Sequence, residues 1–153
     1  MIVNNKLDKL FGPIGSFAGS VVFVAGLVTV YYSILSLFLV VVGAFVGFSY
    51  SSTIIDFDNK RLRFTNHFFG FIKTGQWINV KTDMKIGIKR SNQTWRSYSA
   101  GNRILDVSEK DFRLVLYSAD GKAIMPIKIT NNLNSAKSEL DVLGKQLGLS
   151  TVM

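Results

Sequence analysis

The chain has little of what most catalytic and metal sites require: its 153 residues include no cysteine and one histidine. Without cysteine, disulfides, thiolate metal sites and cysteine nucleophiles are excluded. The single histidine, His67, has no second histidine or cysteine with which to form a metal site, so we predict no metal and no cofactor. The phosphate-binding, dinucleotide-binding, metalloprotease and serine-hydrolase motifs are also absent from the sequence. We therefore predict that the protein is not an enzyme and has no small-molecule substrate.

Charge is missing from one long segment, residues 11–55, which has no Asp, Glu, Lys or Arg. A transmembrane helix needs about 20 apolar residues, so the segment is long enough for two. We predict spans at residues 13–31 and 34–50, joined by a short uncharged turn. Residues 1–51 would then form a membrane hairpin and residues 52–153 a separate domain. The absence of ionisable groups within the spans argues against an ion or proton pathway.

Small residues recur at helical spacing in both predicted spans, and such stripes let helix backbones approach closely in lipid. The stripes consist of Gly15, Gly19 and Gly26 in the first span and Gly43 and Gly47 in the second. Two interpretations are open. The glycines pack the two helices of the hairpin against each other, or they form a docking face for another subunit.

The flanks of the predicted hairpin indicate its orientation. Lys6 and Lys9 precede the first span, and Lys60, Arg61 and Arg63 follow the second, whereas the turn between the spans carries no charge. Because cytoplasmic flanks of transmembrane helices are enriched in Lys and Arg, we predict that both termini are cytoplasmic.

The segment after the predicted hairpin has the pattern of strands followed by one helix. Residues 61–68 and 84–90 alternate apolar and polar, which is typical of half-buried strands, and Asp120-Gly121 predicts a hairpin turn. Pro126 indicates an edge strand or a bulge. The chain ends with an apolar stripe at helical spacing, made of Ala136, Leu140, Leu143 and Leu147. We therefore predict an α+β domain of seven short strands whose open end is covered by a C-terminal amphipathic helix.

Several segments carry a family resemblance: residues 56–64 (DFDNKRLRF), the Phe69-Gly70 pair, the Gly75-Gln76-Trp77 triplet and the final helix. In this order they resemble the bacterial pleckstrin-homology-like (PH-like) domains that follow a two-helix membrane hairpin. The resemblance implies a protein of the bacterial inner membrane, with a transmembrane helical hairpin followed by a cytoplasmic, seven-stranded PH-like domain. The turn at residues 58–60 is shorter than the basic first loop of lipid-binding PH domains, so specific phosphoinositide binding is not expected.

Positive charge is concentrated in residues 81–103, where Asp83 is the only acidic residue. The basic residues of this segment are Lys81, Lys85, Lys89, Arg90, Arg96 and Arg103. They form either a solvated outer face of the sheet or a surface that contacts anionic membrane lipids or an acidic protein. Near an anionic membrane, each lysine or arginine contributes about 1 kcal/mol. No nucleic-acid-binding motif is present, and we predict no nucleic-acid partner.

A long polar segment, residues 91–102, interrupts the predicted strands. Long loops in small domains are often functional, and this one contains Trp95, Arg96 and Tyr98, residue types enriched at binding hot spots. We predict either a loop that contacts a protein partner or an extended hairpin whose Trp95 covers the core.

The sequence supports two functional hypotheses. In the first, the chain is a non-enzymatic inner-membrane protein whose cytoplasmic PH-like domain binds a protein partner or the anionic membrane surface. In the second, it is an accessory subunit of a larger membrane complex, in which the glycine stripes pack against helices of other subunits. Neither the partner nor the oligomeric state follows from the sequence.

Overall fold

The computed structural model describes residues 1–98 and 104–152. The described residues form three helices and nine strands arranged in two sheets, and the α+β class predicted from the sequence is confirmed. In chain order the elements are β1 (Ile2–Lys9), α1 (Gly12–Thr29), a 3-10 turn (Ile34–Ser36), α2 (Leu37–Phe48), β2 (Tyr50–Asp56), β3 (Arg61–Phe68), β4 (Ile72–Thr74), β5 (Trp77–Asn79), β6 (Lys85–Tyr98), β7 (Ile104–Tyr117), β8 (Ala123–Thr130), α3 (Leu133–Leu147) and β9 (Ser150–Val152).

Seven strands were predicted after the helices, whereas the described residues contain eight there, β2 to β9, and a ninth, β1, before the helices. β1 precedes the apolar segment, where only a membrane flank was expected. β9 has three residues, too few to leave a periodic signal. β4 and β5 are also short, and they are separated by Gly75, whose φ of +144° turns the chain where the sequence suggested one strand.

The first sheet has the order β1-β2-β3-β4, with β5 also paired to β3, and its neighbouring strands are antiparallel. β1 pairs with β2 from Ile2 opposite Asp56 to Lys9 opposite Tyr50. α1 and α2 are therefore inserted between two strands that are neighbours in one sheet. The sequence analysis placed residues 1–10 with the helices, whereas the structure places most of them in this sheet.

The second sheet has the order β8-β7-β6-β9, and its pairs are antiparallel except for the parallel pair β6–β9. The predicted Asp-Gly turn joins β7 to β8, with Gly121 at a φ of +76°. Leu114 lies opposite Lys128 and Val115 opposite Pro126, so the register skips one residue of β8. The predicted bulge at Pro126 is therefore confirmed, and a bulge accommodates proline because it leaves ladder positions unpaired.

The core lies between the two sheets and α3. Its buried apolar residues are Ile55, Leu62, Ile86, Leu114, Leu116, Met125, Ile127, Ala136, Leu140, Leu143, Leu147 and Leu149. The predicted apolar stripe of the last helix is confirmed, since all four of its residues are buried. The side chain of Asn132 caps the start of α3 by accepting from the Asn134 N–H, and Gly148 ends it in the left-handed conformation, φ +69°.

Asn5 and Thr53 join the two sheets by donating to the carbonyls of Ile127 and Pro126 at 3.4 Å and 2.6 Å.

β6 and β7 form a two-stranded ribbon that extends beyond the second sheet. They pair along 14 residues each, but β8 pairs with β7 only from Phe112 onward and β9 pairs with β6 only up to Gly87. We call the portion made of residues 91–98 and 104–111 the ribbon. At about 3.3 Å per residue it projects about 25 Å. Residues 91–102 were predicted to be either a partner-binding loop or an extended hairpin; β6 continues through residues 91–98, and residues 99–102 lie outside the described residues.

Candidate membrane interface at the base of the helix pair

α1 and α2 pack against each other as a helix pair with an unusual distribution of burial. The buried residues of α1 are Gly12, Ser16, Gly19 and Gly26, and the buried residue of α2 is Gly43. Many large apolar side chains of both helices are exposed; they include Phe17, Val21, Val24, Leu27, Val28, Phe38, Leu39 and Val41. Others, such as Phe23 and Phe45, are half-buried. A helix on a water-soluble protein has the opposite arrangement, with its large apolar residues inward. Small residues inside and large apolar residues outside are typical of helices that pack within lipid.

α1 is the helix, among the described residues, that is long and apolar enough to cross a membrane by itself. Its 18 residues span about 27 Å at 1.5 Å per residue. The apolar segment Ile34–Phe48, which contains the 3-10 turn and α2, is shorter. Its length is about 24 Å, because a 3-10 turn rises by about 2 Å per residue.

Glycines occupy the closest contacts of the helix pair. A Cβ added to Gly43 would lie 2.4 Å from the Phe23 nitrogen, and one added to Gly19 would lie 2.5 Å from the Gly47 nitrogen. A Cβ on Gly26 would approach the nitrogen of Val40 to 2.8 Å. Gly47 faces α1 as well, with the nitrogen of Ser20 at 2.9 Å from its added Cβ. Gly15 differs, because its near neighbour is the Cβ of Phe11 at the start of α1.

Two hydroxyl groups of α1 are bonded within their own helix. Ser20 Oγ donates to the Ser16 carbonyl at 2.9 Å, and Thr29 Oγ1 donates to the Ala25 carbonyl at 2.8 Å. Such bonds to the preceding turn satisfy a hydroxyl without water. Ser20 and Thr29 are in this way compatible with an apolar environment, whereas the buried Ser16 hydroxyl has no hydrogen-bond partner among the described residues.

The turn between β3 and β4 packs against the end of α2 and is rich in phenylalanine. We call Phe68, Phe69, Gly70 and Phe71 the aromatic turn. Phe69 and Gly70 have φ values of +55° and +80°, and the Phe71 N–H donates to the Phe68 carbonyl at 3.2 Å, as in a type I′ turn. A positive φ costs a non-glycine residue on the order of 1–3 kcal/mol, so tertiary contacts must hold Phe69 in place.

Those contacts come from the helix pair. The Phe45 ring lies 5.8 Å from the Phe68 ring and 5.3 Å from the Phe69 ring, centroid to centroid. Ser49 Oγ accepts a hydrogen bond from the Phe69 N–H at 3.2 Å. At the tip of the turn, Phe71 is 73% exposed. The aromatic turn therefore presents a large apolar side chain at the level where α2 joins the sheet.

Cations and aromatic rings surround the same level on the first sheet. The Lys6 ammonium lies 4.9 Å from the centroid of the Tyr50 ring, which is stacked on His67 at 4.4 Å. His67 is buried, and its Nε2 is 2.8 Å from Ser52 Oγ. Burial lowers the pKa of His67 below its ordinary value, and the positive charge of Lys73, together with those of Lys6 and Arg63, lowers the pKa further. His67 is therefore neutral near pH 7.

One acidic residue at this level, Asp8, is neutralised by the second sheet. Arg113 donates to both Asp8 carboxylate oxygens at 2.7 Å and 3.1 Å and also to Asp111 at 2.9 Å. Burial alone would lower the pKa of Arg113, but the hydrogen bonds to Asp111 and Asp8 raise it above its ordinary value. Asp8 lies at the end of β1 that leads into α1, and Arg113 lies just after the ribbon on β7. β6 also contacts α1. The ribbon therefore leaves its sheet at the end where the helix pair begins.

The opposite end of the first sheet holds a second polar cluster. Asp56 is buried and accepts from the side chain of Asn59 at 2.9 Å and from Arg61 at 2.8 Å. The hydrogen bond from Asn59, more than the contact with Arg61, lowers the pKa of Asp56 to about 2. The Arg61 guanidinium lies 4.5 Å from the centroid of Trp77. Asp56 and Arg61 of the segment 56–64 therefore have a structural role, because they hold the turn between β2 and β3.

The basic residues singled out from residues 81–103 do not form one surface. Lys81, Lys85 and Lys89 are exposed. Lys89 lies opposite Arg113, whereas the Arg90 guanidinium lies 6.0 Å from the centroid of the core-facing Phe112 ring and so belongs to the other face of β6.

The remaining predicted residues of that segment lie in or beyond the ribbon. Trp95, Arg96 and Tyr98 belong to β6, where their backbones pair with Val107, Asp106 and Ile104. Arg103 lies outside the described residues.

Sequence reasoning missed the cluster of Lys6, Tyr50 and Lys73. In the sequence, Lys6 served only as a flanking charge that indicates the orientation of the predicted spans, and Lys73 was assigned no role. The sequence signal that could have indicated this cluster was the position of Lys6 and Tyr50 near the two ends of the charge-free segment. Their proximity becomes visible only when β1 is paired with β2.

Comparison with known proteins returned no match: no protein-family model, no curated protein and no solved structure is similar to the chain. Function is therefore inferred from the residues and their geometry.

Proposed function

We propose that the chain is a non-enzymatic protein of the bacterial inner membrane, in which the helix pair is a two-span anchor and the PH-like domain binds the anionic membrane surface from the cytoplasmic side. The observation that carries this proposal is the reversed burial of the helix pair, with glycines inside and large apolar side chains outside. Outward-facing Leu, Val and Phe side chains are unfavourable in water and favourable in hydrocarbon.

The pairing of β1 with β2 supports two spans. Ile2–Lys9 and Tyr50–Asp56 lie in one sheet, so both ends of the helix pair are on the same side of any membrane. If α1 crosses the bilayer, the chain has to return before β2 begins. The segment Ile34–Phe48 is short for this purpose, but local thinning of the bilayer accommodates a mismatch of a few ångströms at modest cost.

The charges next to the sheet support the proposed cytoplasmic placement of both termini. Lys6 and Lys9 flank α1, and Lys73 lies opposite His67 on β4 of the same sheet, while residues 30–36 at the far end of the helix pair have no charge. The positive-inside rule favours this orientation. In the same arrangement the aromatic turn and the lysines meet the interface between hydrocarbon and lipid headgroups.

The experiment that tests the anchor compares two valines of equal exposure. Val41 on α2 is 49% exposed and Val142 on α3 is 47% exposed. If the helix pair lies in hydrocarbon, Val41→Lys costs about 3 kcal/mol of insertion energy, because lysine at a span centre is unfavourable by about 2.5–3.5 kcal/mol. Val142→Lys, on the sheet side, should be tolerated.

The measurement is the fraction of full-length protein that resists carbonate extraction from membranes, with a C-terminal reporter of cytoplasmic location. We expect a lower membrane-bound fraction for Val41→Lys than for the wild type. Val142→Lys should keep the wild-type fraction and an active cytoplasmic reporter. If the membrane-bound fraction of Val41→Lys equals that of Val142→Lys, the helix pair is in water and the proposal is wrong. Activity of a reporter for the exported side would show that the C-terminus is not cytoplasmic and would contradict the proposed orientation.

The alternative, an accessory subunit of a larger membrane complex, is favoured by the ribbon. A ribbon of this length with Trp95 and Tyr98 in its sequence suits contact with a protein. In contrast, Gly19, Gly26 and Gly43 are engaged within the helix pair and are not free to receive another helix. Co-purification of a fixed set of other subunits in mild detergent would support the alternative, and a monodisperse particle of the chain alone would count against it.

A further inference from the structure

A recess of about 740 Å³ opens where the helix pair joins the first sheet. We call it the basal recess. Its wall is formed by the end of β1, by the facing turns of α1 and α2, and by the aromatic turn. The lining residues that matter here are Lys6, Lys9, Ser20, Gly47, Tyr50 and Phe69. Its volume is in the range of small-molecule sites, about 300–1,000 Å³.

A second, apolar groove of about 410 Å³ continues from the basal recess along α1. The two cavities share Ser20, and the groove is otherwise lined by Val21, Val24 and Ala25. Because the Ser20 hydroxyl is bonded to the Ser16 carbonyl, the groove offers apolar contact rather than a free hydroxyl. The combined cavity is thus cationic at the sheet and apolar along the helix.

The charge of the basal recess is positive and uncompensated. Lys6 and Lys9 are exposed and form no ion pair within the part of the chain that the structure describes. The nearest carboxylate, Asp8, has both oxygens bonded to Arg113. Two ammonium groups next to a ring of aromatic and small side chains suit a phosphate group, which accepts several charge-assisted hydrogen bonds.

We propose that the basal recess and its groove bind one anionic glycerophospholipid, with the phosphate between Lys6 and Lys9 and one acyl chain along Val21, Val24 and Ala25. The proposal rests on the proposed membrane insertion, since the groove is reached by an acyl chain only from the bilayer. An anionic headgroup is favoured over a zwitterionic one because the recess contains two positive charges and no free negative charge. The depth fits as well, since the recess lies where the apolar helices end and the charged sheet begins.

The test measures lipid retention by the full-length protein in nanodiscs of phosphatidylcholine containing a titrated fraction of phosphatidylglycerol. Native mass spectrometry after mild delipidation counts the retained lipids. We expect the wild type to retain one phosphatidylglycerol and Lys6→Gln/Lys9→Gln to retain it about 30-fold less well, which is about fivefold for each lysine. Lys137→Gln/Lys145→Gln removes the same charge from α3, where both lysines are exposed and line neither cavity, and serves as the matched control.

A second variant tests the acyl-chain groove. Ala25→Phe fills the groove without altering either lysine, and we expect it to lose long-chain phosphatidylglycerol while the free headgroup, glycerol phosphate, binds weakly and equally to both proteins. If glycerol phosphate binds as tightly as the lipid, the recess is a simple anion site and the lipid assignment is overturned.

Retention by Lys6→Gln/Lys9→Gln equal to that of the control, or equal retention of phosphatidylcholine, also overturns the proposal. Equal membrane yields of Val41→Lys and Val142→Lys would refute the anchor itself, so the two failures are distinguishable.

Discussion

The contact between Gly43 and the backbone of Phe23 provides a direct test of how the helix pair is held together. We consider Gly43→Val. The first added carbon would lie 2.4 Å from the Phe23 nitrogen and 2.6 Å from its Cα, about 1 Å short of ordinary contact, which begins at 3.4 Å. Both neighbours are backbone atoms, so the helices themselves have to separate.

The expected cost follows from the overlap. Overpacking costs about 1–3 kcal/mol, and valine belongs at the upper end here because two further carbons follow the one that already clashes. Valine is a better helix former than glycine by less than about 0.5 kcal/mol, which offsets little of the loss. We therefore expect Gly43→Val to lower the free energy of unfolding by about 2–3 kcal/mol.

Ala18→Val is the matched control, because Ala18 lies on α1 next to Gly19 but is exposed. It should change the free energy of unfolding by less than about 0.5 kcal/mol. The assay is unfolding of the full-length protein by sodium dodecyl sulfate in mixed micelles, followed by circular dichroism. The reasoning is refuted if Gly43→Val unfolds at the wild-type detergent fraction, or if Ala18→Val is destabilised as strongly.

Two further predictions concern the level where the helix pair joins the sheet. A fluorophore on Phe71→Cys should shift to the blue in reconstituted vesicles, whereas one on Val142→Cys should keep the emission of a probe in water; equal spectra would remove the aromatic turn from the interface. For His67, the pKa in the folded state is lower than the ordinary value of 6.5, so the unfolded chain binds the proton first as the pH falls. Stability should be full above about pH 6.5 and decline below it, by at most about 1.4 kcal/mol per pH unit. His67→Gln, which keeps a hydrogen-bonding group near Ser52, should flatten this decline in urea unfolding at several pH values, and an unchanged slope would assign it to other groups.

The parts of the fold that were predicted correctly have local signals. The final helix has a cap at Asn132, an apolar stripe and Gly148 at its end, all within one short segment. The Asp120-Gly121 turn and the bulge at Pro126 also follow from the conformational limits of single residues. These features need no knowledge of the rest of the chain, and the structure confirms them.

The parts that were missed depend on pairing between distant residues. β1 was taken as a charged flank because its partner, β2, lies on the far side of the whole apolar segment. Lys6 and Lys73 influence the pKa of the same histidine only because β1, β2, β3 and β4 are adjacent in the sheet. Residues 91–98 were left open between a loop and a hairpin because their sequence, SNQTWRSY, has no regular apolar alternation.

The insertion of α1 and α2 between β1 and β2 also affects how the protein is made. β1 leaves the ribosome before β2, and under the proposed two-span anchor it has no partner until Tyr50–Asp56 has been synthesised and both helices have entered the bilayer. Closure of β1 on β2 therefore takes place only when the two ends of the inserted segment have come back to the same compartment. Under the same proposal, a chain with a single helix inserted would have β1 and β2 on opposite sides of the bilayer and an open sheet edge. Pairing of β1 with β2 would thus couple correct topology to completion of the first sheet.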